Sequence, residues 1–255
     1  NMDLPVVLKG FRQTATVRSG TQSILNLESG AIEWNVEVFQ QSSGGAAVDR
    51  VHNKNSQASP TPITDGKHVW VHFGTRGTAC LTLDGKIVWK NTELKYAPVH
   101  GNGGSPVLVD DVLIVSCDGG DTSFIVGLDK QTGTLKWKTA RSVGDLKKTF
   151  AFGTPLLIEV NGQRQVVSQA AGAVYGYEPK TGKEIWRARY GDGYSVIPRP
   201  VFAHGLLFVG TGYDSAKLIA VDPSGTGDVT DTHIRWTLTR GAPHTPSPLV
   251  VGDEV

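Results

Sequence analysis

The stretch Asp129–Trp137, DKQTGTLKW, decides how this chain folds, because variants of it recur along the sequence. It reads as a strand end, a tight turn at the glycine and a second strand that ends at the tryptophan. The same Gly-x-x-x-Trp ending occurs at Trp34, Trp89 and Trp186, and Trp236 follows a longer turn. Successive tryptophans of this set are 55, 48, 49 and 50 residues apart.

Further strand-like segments complete each repeat. A polar loop follows the tryptophan and leads to Ser-Pro or Thr-Pro, as at Ser105-Pro106 and Thr154-Pro155. A short apolar segment, a turn and an alternating segment come next, as in Val69–Phe73. Four short antiparallel strands repeated about every 50 residues are typical of a β-propeller blade.

We therefore predict an all-β fold, a β-propeller of four-stranded antiparallel blades that forms a single domain over residues 1–255. The expected blades are 3–36, 57–90, 104–139, 152–188 and 197–238, with the next blade starting at 245–255. The inner strand of the first blade is predicted at Leu4–Leu8. We expect these five blades to belong to a seven- or eight-blade ring that is incomplete at the C-terminus. A closed five-blade ring is the alternative.

A large aromatic residue that recurs once per blade is expected to fill the gap between neighbouring blades, because one sheet cannot bury both of its faces alone. We therefore interpret the recurrent tryptophans as structural rather than as residues that stack on a ligand. They are Trp34, Trp89, Trp137, Trp186 and Trp236.

Composition narrows the classes of function. Basic and acidic residues number 25 and 24, a net charge of +1, which argues against nucleic acid as the main partner. No apolar run approaches the length of a membrane-spanning helix, and no signal peptide is visible at the N-terminus. Cys80 and Cys117 make no disulfide framework, so buried free thiols are predicted over a bridge.

The repeats at Asp129–Trp137 and Glu178–Trp186 resemble those of the PQQ-like (pyrroloquinoline-quinone-like) β-propellers, a family shared by quinoprotein dehydrogenases and BamB lipoproteins. His100–Pro106 and Gly227–Thr230 look like the secreted PQQ-like repeat proteins of planctomycete-type bacteria. The resemblance covers the whole chain. It implies the propeller fold and a periplasmic, secreted or cell-envelope location, and it implies little about chemistry.

For an active quinoprotein dehydrogenase, the resemblance would imply a vicinal cysteine pair over the quinone. It would also imply a Ca²⁺ site with Glu, Asn and Asp, a catalytic Asp and a tryptophan under the cofactor. Here Cys80 and Cys117 are far apart in the sequence, and no matching ligand set is recognisable. No cofactor is therefore predicted, and PQQ with Ca²⁺ is kept as the alternative.

The phase of the repeat predicts one candidate site. The loops that enter the innermost strands should open at one end of the propeller axis, so their polar residues should form a ring. Such a ring would make the mouth of a funnel that binds a ligand or a metal; the alternative is polar loops that satisfy exposed backbone. The candidate residues are His52, Asn55, His100, Asn102, Lys148, Tyr194 and His244, with Phe150 and Ser195 in the same phase.

A second set, Arg76, Asp118 and Asp214, falls in loops between second and third strands. The acidic turn Asp118–Asp121 lacks the regular oxygen ligands of a calcium loop, so a plain hairpin turn is predicted there and no metal site is assigned.

Three functions remain open. The first is a non-catalytic binding or scaffold propeller of the cell envelope or secreted space, with a protein or small-molecule ligand at the propeller face. The alternative is a PQQ-dependent dehydrogenase of an alcohol or sugar. The third is a carbohydrate-binding or hydrolytic propeller, which would need paired carboxylates in the funnel if hydrolytic. Whether the chain is an enzyme stays open, and the missing catalytic set favours the first function.

Overall fold

The computed structural model describes residues 11–16, 19–26, 28–40, 52–53, 55–56, 58–142, 144–214 and 216–255. In these ranges the chain is almost entirely β-structure, with one 3-10 turn (Gly74–Arg76) and one α-helix, α1 (Thr230–His233). The predicted strand at Leu4–Leu8 lies outside them. None of the helical segments in this part of the chain has the length and apolar character needed to cross a membrane.

Five sheets follow one another along the described chain, and three of them have four antiparallel strands, which confirms the all-β class and the four-stranded blades. Blade 1 contains β1 (Phe11–Thr16), β2 (Ser19–Leu25) and β3 (Ile32–Gln40). Blade 2 contains β4 (Ile63–Thr64), β5 (His68–His72), β6 (Thr78–Thr82) and β7 (Ile87–Asn91). Blade 3 contains β8 (Val107–Val109), β9 (Val112–Asp118), β10 (Ser123–Asp129) and β11 (Leu135–Ala140).

The last two sheets are joined by a strand from one blade that pairs with the other. Blade 4 contains β12 (Leu156–Val160), β13 (Gln163–Gln169), β14 (Ala173–Tyr177) and β15 (Glu184–Arg189). Blade 5 contains β16 (Val201–Ala203), β17 (Leu206–Gly210), β18 (Leu218–Val221) and β20 (Ile234–Leu238). Between β18 and β20, the long turn of blade 5 forms β19 (Gly227–Asp228) and α1. Strand β19 pairs in parallel with β15, so blade 4 carries a fifth strand that comes from its neighbour.

The outer strands differ from the prediction, because they do not end at the tryptophan. Trp137 is the third residue of β11, and the strand continues to Ala140. The residues after it keep pairing with β10, with Lys138 opposite Val126 and Thr139 opposite Ile125. Thr139, two positions after Trp137, is polar and extends the strand ladder without burying a charge. The composition of the segment after the tryptophan therefore did not reveal where the strand ends.

The hydrophobic core is divided into layers, one between each pair of neighbouring blades. Strand β9 shows how one strand serves two layers, because successive side chains point to opposite faces. Leu113 and Val115 pack with Trp70 and Trp89 of blade 2. Ile114 packs on the other side with residues of blade 4. Cys80 and Cys117 are buried free thiols in the first of these layers, and burial raises the pKa of Cys80 to about 12.

The recurrent tryptophans join the blades through hydrogen bonds as well as packing. In three of them the indole N–H donates to a backbone carbonyl in the turn of the following blade, which satisfies the polar group of a large aromatic side chain. The bonds are Trp34 Nε1 to Leu83 O at 2.8 Å, Trp89 Nε1 to Lys130 O at 3.0 Å and Trp137 Nε1 to Pro179 O at 3.1 Å. Trp70, the tryptophan outside the repeat phase, also donates to Lys130 O, at 2.9 Å.

The fourth junction uses a side-chain relay. Trp186 Nε1 donates to Gln165 Oε1 at 2.7 Å, and Gln165 Nε2 donates onward to the carbonyl of Pro223 in blade 5 at 3.3 Å. Trp186 is fully buried, whereas Trp236 of blade 5 is 39% exposed and contacts Phe208 of its own blade at 5.8 Å between ring centroids.

Candidate functional site

A cleft of about 760 Å³ opens between the loops that connect successive blades. Its wall takes residues from the loops that lead into blades 2, 3, 4 and 5 and from the segment after blade 5. Tyr213, between β17 and β18, completes it. The lining residues are His52, Asn55, Ser59, His100, Gly103, Lys148, Phe150, Phe152, Thr154, Tyr194, Ser195, Ile197, Tyr213 and Thr245.

Backbone hydrogen bonds between neighbouring loops hold this wall in shape. The amide of His52 donates to the carbonyl of His100 at 3.1 Å, and the amide of Ser195 donates to the carbonyl of Phe150 at 2.8 Å. The amide of Tyr213 donates to the carbonyl of Tyr194, also at 2.8 Å. Because the main chain of one loop is fixed to the next, the cleft is formed before any ligand arrives.

Aromatic rings follow one another across the cleft without a break, and we call them the ring series. Each ring contacts the next at edge-to-face or tilted angles, which are the arrangements that the ring quadrupole favours. The centroid distances are 4.9 Å for His52–His100, 5.2 Å for His100–Phe150, 5.5 Å for Phe150–Tyr194, 6.4 Å for Tyr194–Tyr213 and 5.5 Å for Tyr213–His244. Phe152 stacks on His100 at 5.9 Å.

Three polar side chains form a closed cluster at the rim. Lys148 Nζ donates to Tyr194 OH at 2.6 Å and lies 3.3 Å from Asp214 Oδ2, while Tyr194 OH donates to the same carboxylate. The ammonium also sits 4.1 Å from the centroid of the Tyr194 ring. The hydrogen bond from Tyr194 lowers the pKa of Asp214, and the hydrogen bond and positive charge of Lys148 lower it further. The cluster therefore holds one positive and one negative charge that compensate each other.

The remaining predicted mouth residues have supporting contacts. Asn55 Nδ2 donates to the carbonyls of His100 at 2.9 Å and Asn102 at 3.3 Å. Asn102 Oδ1 accepts from Tyr96 OH at 2.8 Å. Five of the seven predicted residues thus line the cleft, Asn102 lies behind its wall, and His244 touches the lining residue Tyr213.

The second predicted set does not share one environment. Asp214 joins the rim cluster through Lys148 and Tyr194. Arg76 ends the 3-10 turn of blade 2 and is partly buried. Asp118 is fully buried at the end of β9, where its carboxylate pairs with the guanidinium of Arg141. The predicted turn at Asp118–Asp121 does connect β9 to β10.

A buried polar cluster surrounds the Asp118–Arg141 pair between blades 3 and 4. Ser123 donates to Asp118, and Arg141 Nη2 donates to Ser168 Oγ at 2.6 Å. Arg141 Nε donates to Tyr177 OH at 3.2 Å. Burial raises the pKa of Asp118, while the guanidinium and the Ser123 hydroxyl oppose that rise. The full set of donors and acceptors is what a buried ion pair needs to be tolerated.

Sequence reasoning missed Phe152, Ile197 and Tyr213 among the lining residues. Phe152 was detectable from the sequence, because it lies two residues after Phe150 and two residues before Thr154-Pro155. Tyr213 lies next to Asp214 in a loop between second and third strands, so the repeat phase assigned this loop to the second candidate set rather than to the mouth. Its side chain is nevertheless 52% exposed and reaches Tyr194.

The described cleft does not fit a quinone held by Ca²⁺. Calcium takes six to eight oxygen ligands, mainly carboxylates and carbonyls. No Asp or Glu is among the described lining residues, and the carboxylate at the rim, Asp214, is bound by Lys148 and Tyr194. In the described ranges no group of three or more His, Cys, Asp and Glu side chains gathers, and both cysteines are buried outside the cleft.

Comparison with protein families gives a match that spans most of the chain. A family profile described as outer membrane protein assembly factor BamB matches residues 6–147 and 122–255. The two matches overlap and together cover nearly the whole chain, as a repeat architecture would give. No curated protein sequence matches this chain.

Three solved structures of similar fold are distant from this chain in sequence. BamB from Moraxella catarrhalis is 18% identical, with a TM-score of 0.55 over 85% of this chain and 56% of that chain. A europium-containing methanol dehydrogenase is 14% identical, with a TM-score of 0.58 over 83% of this chain and 45% of that one.

The quinohemoprotein alcohol dehydrogenase ADHIIG from Pseudomonas putida HK5 is 16% identical, with a TM-score of 0.51 over 71% of this chain and 34% of that one. The chain thus spans about a third to just over half the length of these structures. At these identities the likeness shows the fold alone.

Proposed function

The chain belongs to the family of the outer membrane protein assembly factor BamB, and on that premise we propose that it is a non-catalytic binding propeller of the cell envelope. Its cleft would hold an extended segment of a partner protein. The observation that carries the proposal is the ring series, which presents aromatic side chains from successive inter-blade loops to one preformed space.

The chemistry of the wall supports a peptide rather than a charged small molecule. Aromatic-lined grooves bind extended and proline-rich segments, because such segments lose little conformational entropy on docking. The exposed side chains of Tyr213 and Ile197 offer apolar contact surface within the same cleft. The compensated charges of Lys148 and Asp214 leave donors and acceptors at the rim for the peptide backbone.

A PQQ-dependent dehydrogenase is the competing function, and the residues support it less. Catalysis with PQQ would need oxygen ligands for a metal beside the quinone. The described lining side chains supply imidazoles, rings, hydroxyls, one ammonium and the carboxamide of Asn55, whose oxygen already accepts from the amide of Ser56 and from Ser59 Oγ. Fold likeness to the two dehydrogenases does not add to it, because one propeller fold hosts unrelated functions.

Selection from a random peptide library on the immobilised chain tests the binding function. We expect selected peptides to be rich in proline and aromatic residues. The Ile197→Asp variant should weaken them at least about tenfold, because docking would bury an unpaired carboxylate. The matched control is Leu135→Asp, which changes a similarly exposed residue on the outer strand β11 away from the cleft.

Two results would contradict the proposal. One is a selection that fails, either because it yields no peptides or because the selected peptides bind both variants with the same affinity as the unchanged chain. The other is the appearance of a quinone absorbance with dye-linked dehydrogenase activity after titration with PQQ and CaCl₂, which would favour the dehydrogenase instead.

A further inference from the structure

The carboxylate of the cluster at the rim of the cleft is bound on one side only. Both bonds that Asp214 accepts, from Tyr194 OH and from Lys148 Nζ, end on Oδ2. Within the described part of the chain no hydrogen bond or ion pair uses Oδ1, and the side chain is 57% exposed. We infer that the partner segment carries an arginine that pairs with Asp214 at this rim. The inference rests on the proposed binding function and names the residue that sets its specificity.

The cation of the cluster, in contrast, already has its partners. Lys148 Nζ donates to Tyr194 OH at 2.6 Å, lies 3.3 Å from Asp214 Oδ2 and stands 4.1 Å from the centroid of the Tyr194 ring. The hydrogen bond to Tyr194, followed by that to Asp214, raises the pKa of Lys148. Because the ammonium keeps both its charge and its partners, the rim offers more to a basic side chain of a ligand than to an acidic one.

The molecule itself shows how a cation binds at this place. Lys148 combines an ion pair to the carboxylate with a contact to the ring of a neighbouring tyrosine, Tyr194. Tyr213 and Asp214 offer the same two kinds of group to a ligand. Tyr213 directly precedes Asp214, is half-exposed, and its ring contacts that of Tyr194, which is bonded to Asp214. No lysine or arginine of the described ranges stands over the Tyr213 ring.

Arginine suits this position better than lysine does. Its long stem can lie along apolar surface while its charged head reaches a carboxylate, and Tyr213, which lines the cleft, supplies such a surface next to Asp214 in the chain. The planar guanidinium also stacks on aromatic rings and is less strongly hydrated than an ammonium, so it loses less solvation on binding. The proline and aromatic residues of the segment would then occupy the ring series, with the arginine at the rim.

Synthetic copies of the peptides selected on the immobilised chain test this inference. In each copy one arginine is replaced by citrulline, which keeps the shape of the side chain and removes its charge. We expect arginine to be enriched among the selected peptides. Citrulline at the critical position should weaken binding at least about fivefold, because it removes an exposed ion pair and a cation–π contact together. Calorimetry measures the Kd of both peptides.

Two variants establish whether Asp214 itself is the partner of the arginine. On Asp214→Asn the arginine and citrulline peptides should bind within about twofold of each other, because the ion pair is gone. Lys148→Met combined with Asp214→Asn should give the same result. The combined change leaves the net charge of the cluster unaltered, so a loss of preference there points to the contact with the carboxylate rather than to a long-range field.

The matched control is Asp110→Asn, which should keep the full preference for arginine. Asp110 is also an exposed, ion-paired aspartate with a left-handed backbone, with φ of 54° against 64° for Asp214, and asparagine tolerates that conformation. It lies in the turn between β8 and β9 and is not among the described residues that line the cleft. Circular dichroism establishes that each variant is folded, and the comparison of the two peptides on the unchanged chain needs no variant.

The outcomes separate this inference from the binding function on which it rests. Equal affinity of the arginine and citrulline peptides for the unchanged chain would overturn the inference. So would an undiminished preference in both Asp214 variants, or an equal loss of preference in Asp110→Asn. Selected peptides that lack arginine but lose affinity for the Ile197→Asp variant would overturn the inference and leave the binding function standing. A selection that yields no peptides would overturn both.

Discussion

The indole nitrogen of Trp137 donates a hydrogen bond of 3.1 Å to the carbonyl oxygen of Pro179, in the turn of the following blade. The same indole lies against Gly182, whose backbone is left-handed with φ of +69°. A methyl group on Gly182 would come within 2.2 Å of a ring carbon of Trp137. Glycine therefore answers two needs here, the turn conformation and the close approach of the tryptophan.

The first prediction separates these two needs. Gly182→Ala should lower the free energy of unfolding by about 1 kcal/mol for the left-handed backbone and by a further 1–3 kcal/mol, roughly, for overpacking against Trp137. Gly162→Ala is the matched control, because it has φ of +77° and open space around a new methyl group. Urea denaturation of both variants measures the difference. Equal losses would mean that the indole contact contributes nothing.

The second prediction concerns the buried pair Asp118–Arg141, whose side chains are almost completely excluded from solvent. Arg141→Met should cost about 3–5 kcal/mol of unfolding free energy, because it leaves Asp118 buried without its partner. Arg164→Met is the control, since Arg164 pairs with Asp110 at 2.9 Å on the surface and such pairs contribute about 1 kcal/mol or less.

Adding Asp118→Asn to Arg141→Met should recover part of that loss, because the uncompensated charge is then removed. Urea denaturation of the two single variants and the double variant gives the coupling energy. A double variant as unstable as the sum of its singles would show that the two side chains act independently.

The third prediction is a pH dependence that arises from His72. This side chain is completely buried, its Nδ1 lies 2.8 Å from Thr78 Oγ1, and burial lowers its pKa to about 4. In the unfolded chain its pKa is about 6.5, so the unfolded state takes up a proton first as the pH falls. Stability from this group is therefore complete above pH 6.5 and is lost as the pH falls towards 4.

Between pH 7 and pH 5 the loss from His72 should be about 2 kcal/mol. Urea denaturation at both pH values measures it, and His72→Asn should flatten the slope. His204→Asn is the control, because His204 is exposed and has a left-handed backbone that asparagine tolerates. A wild-type slope that survives in His72→Asn would assign the pH dependence to other groups.

The sequence predicted the fold well because the repeat carries its own register. Gly133 and Trp137 show how a glycine marks the turn and a tryptophan marks the outer strand in each repeat. Residues at the same distance from these markers in successive repeats lie in equivalent loops. Four of them line one cleft: His52, His100, Lys148 and Tyr194. Loops that hold equivalent positions in equivalent blades must open at the same end of the axis, so their neighbourhood follows from counting alone.

The repeat spacing did not predict which partners individual side chains pair with. Asp118 and Asp214 occupy equivalent loops, yet one is buried with Arg141 and the other is exposed beside Lys148. The cations come from different places, because Arg141 follows the outer strand of the blade that also carries Asp118, whereas Lys148 precedes blade 4 and Asp214 lies in blade 5. The tryptophan pattern misjudged the end of that outer strand. The buried pair also depends on blade 4, which supplies Ser168 to Arg141, while the repeat describes one blade at a time.

Strand β19 belongs to the chain segment of blade 5 but pairs with β15 of blade 4, and this pairing has a consequence for unfolding. Gly227 pairs with Trp186, the amide of Val229 donates to the carbonyl of Arg187, and Thr230 accepts from the amide of Arg189. At the other junctions in the described ranges, neighbouring blades meet through side chains, turns and loop-to-loop main-chain bonds, so they can separate with their own strand ladders intact. Blades 4 and 5 share main-chain hydrogen bonds across their boundary, and neither can open without breaking the other's edge. We therefore expect these two blades to unfold as a single cooperative unit, twice the size of the sequence repeat.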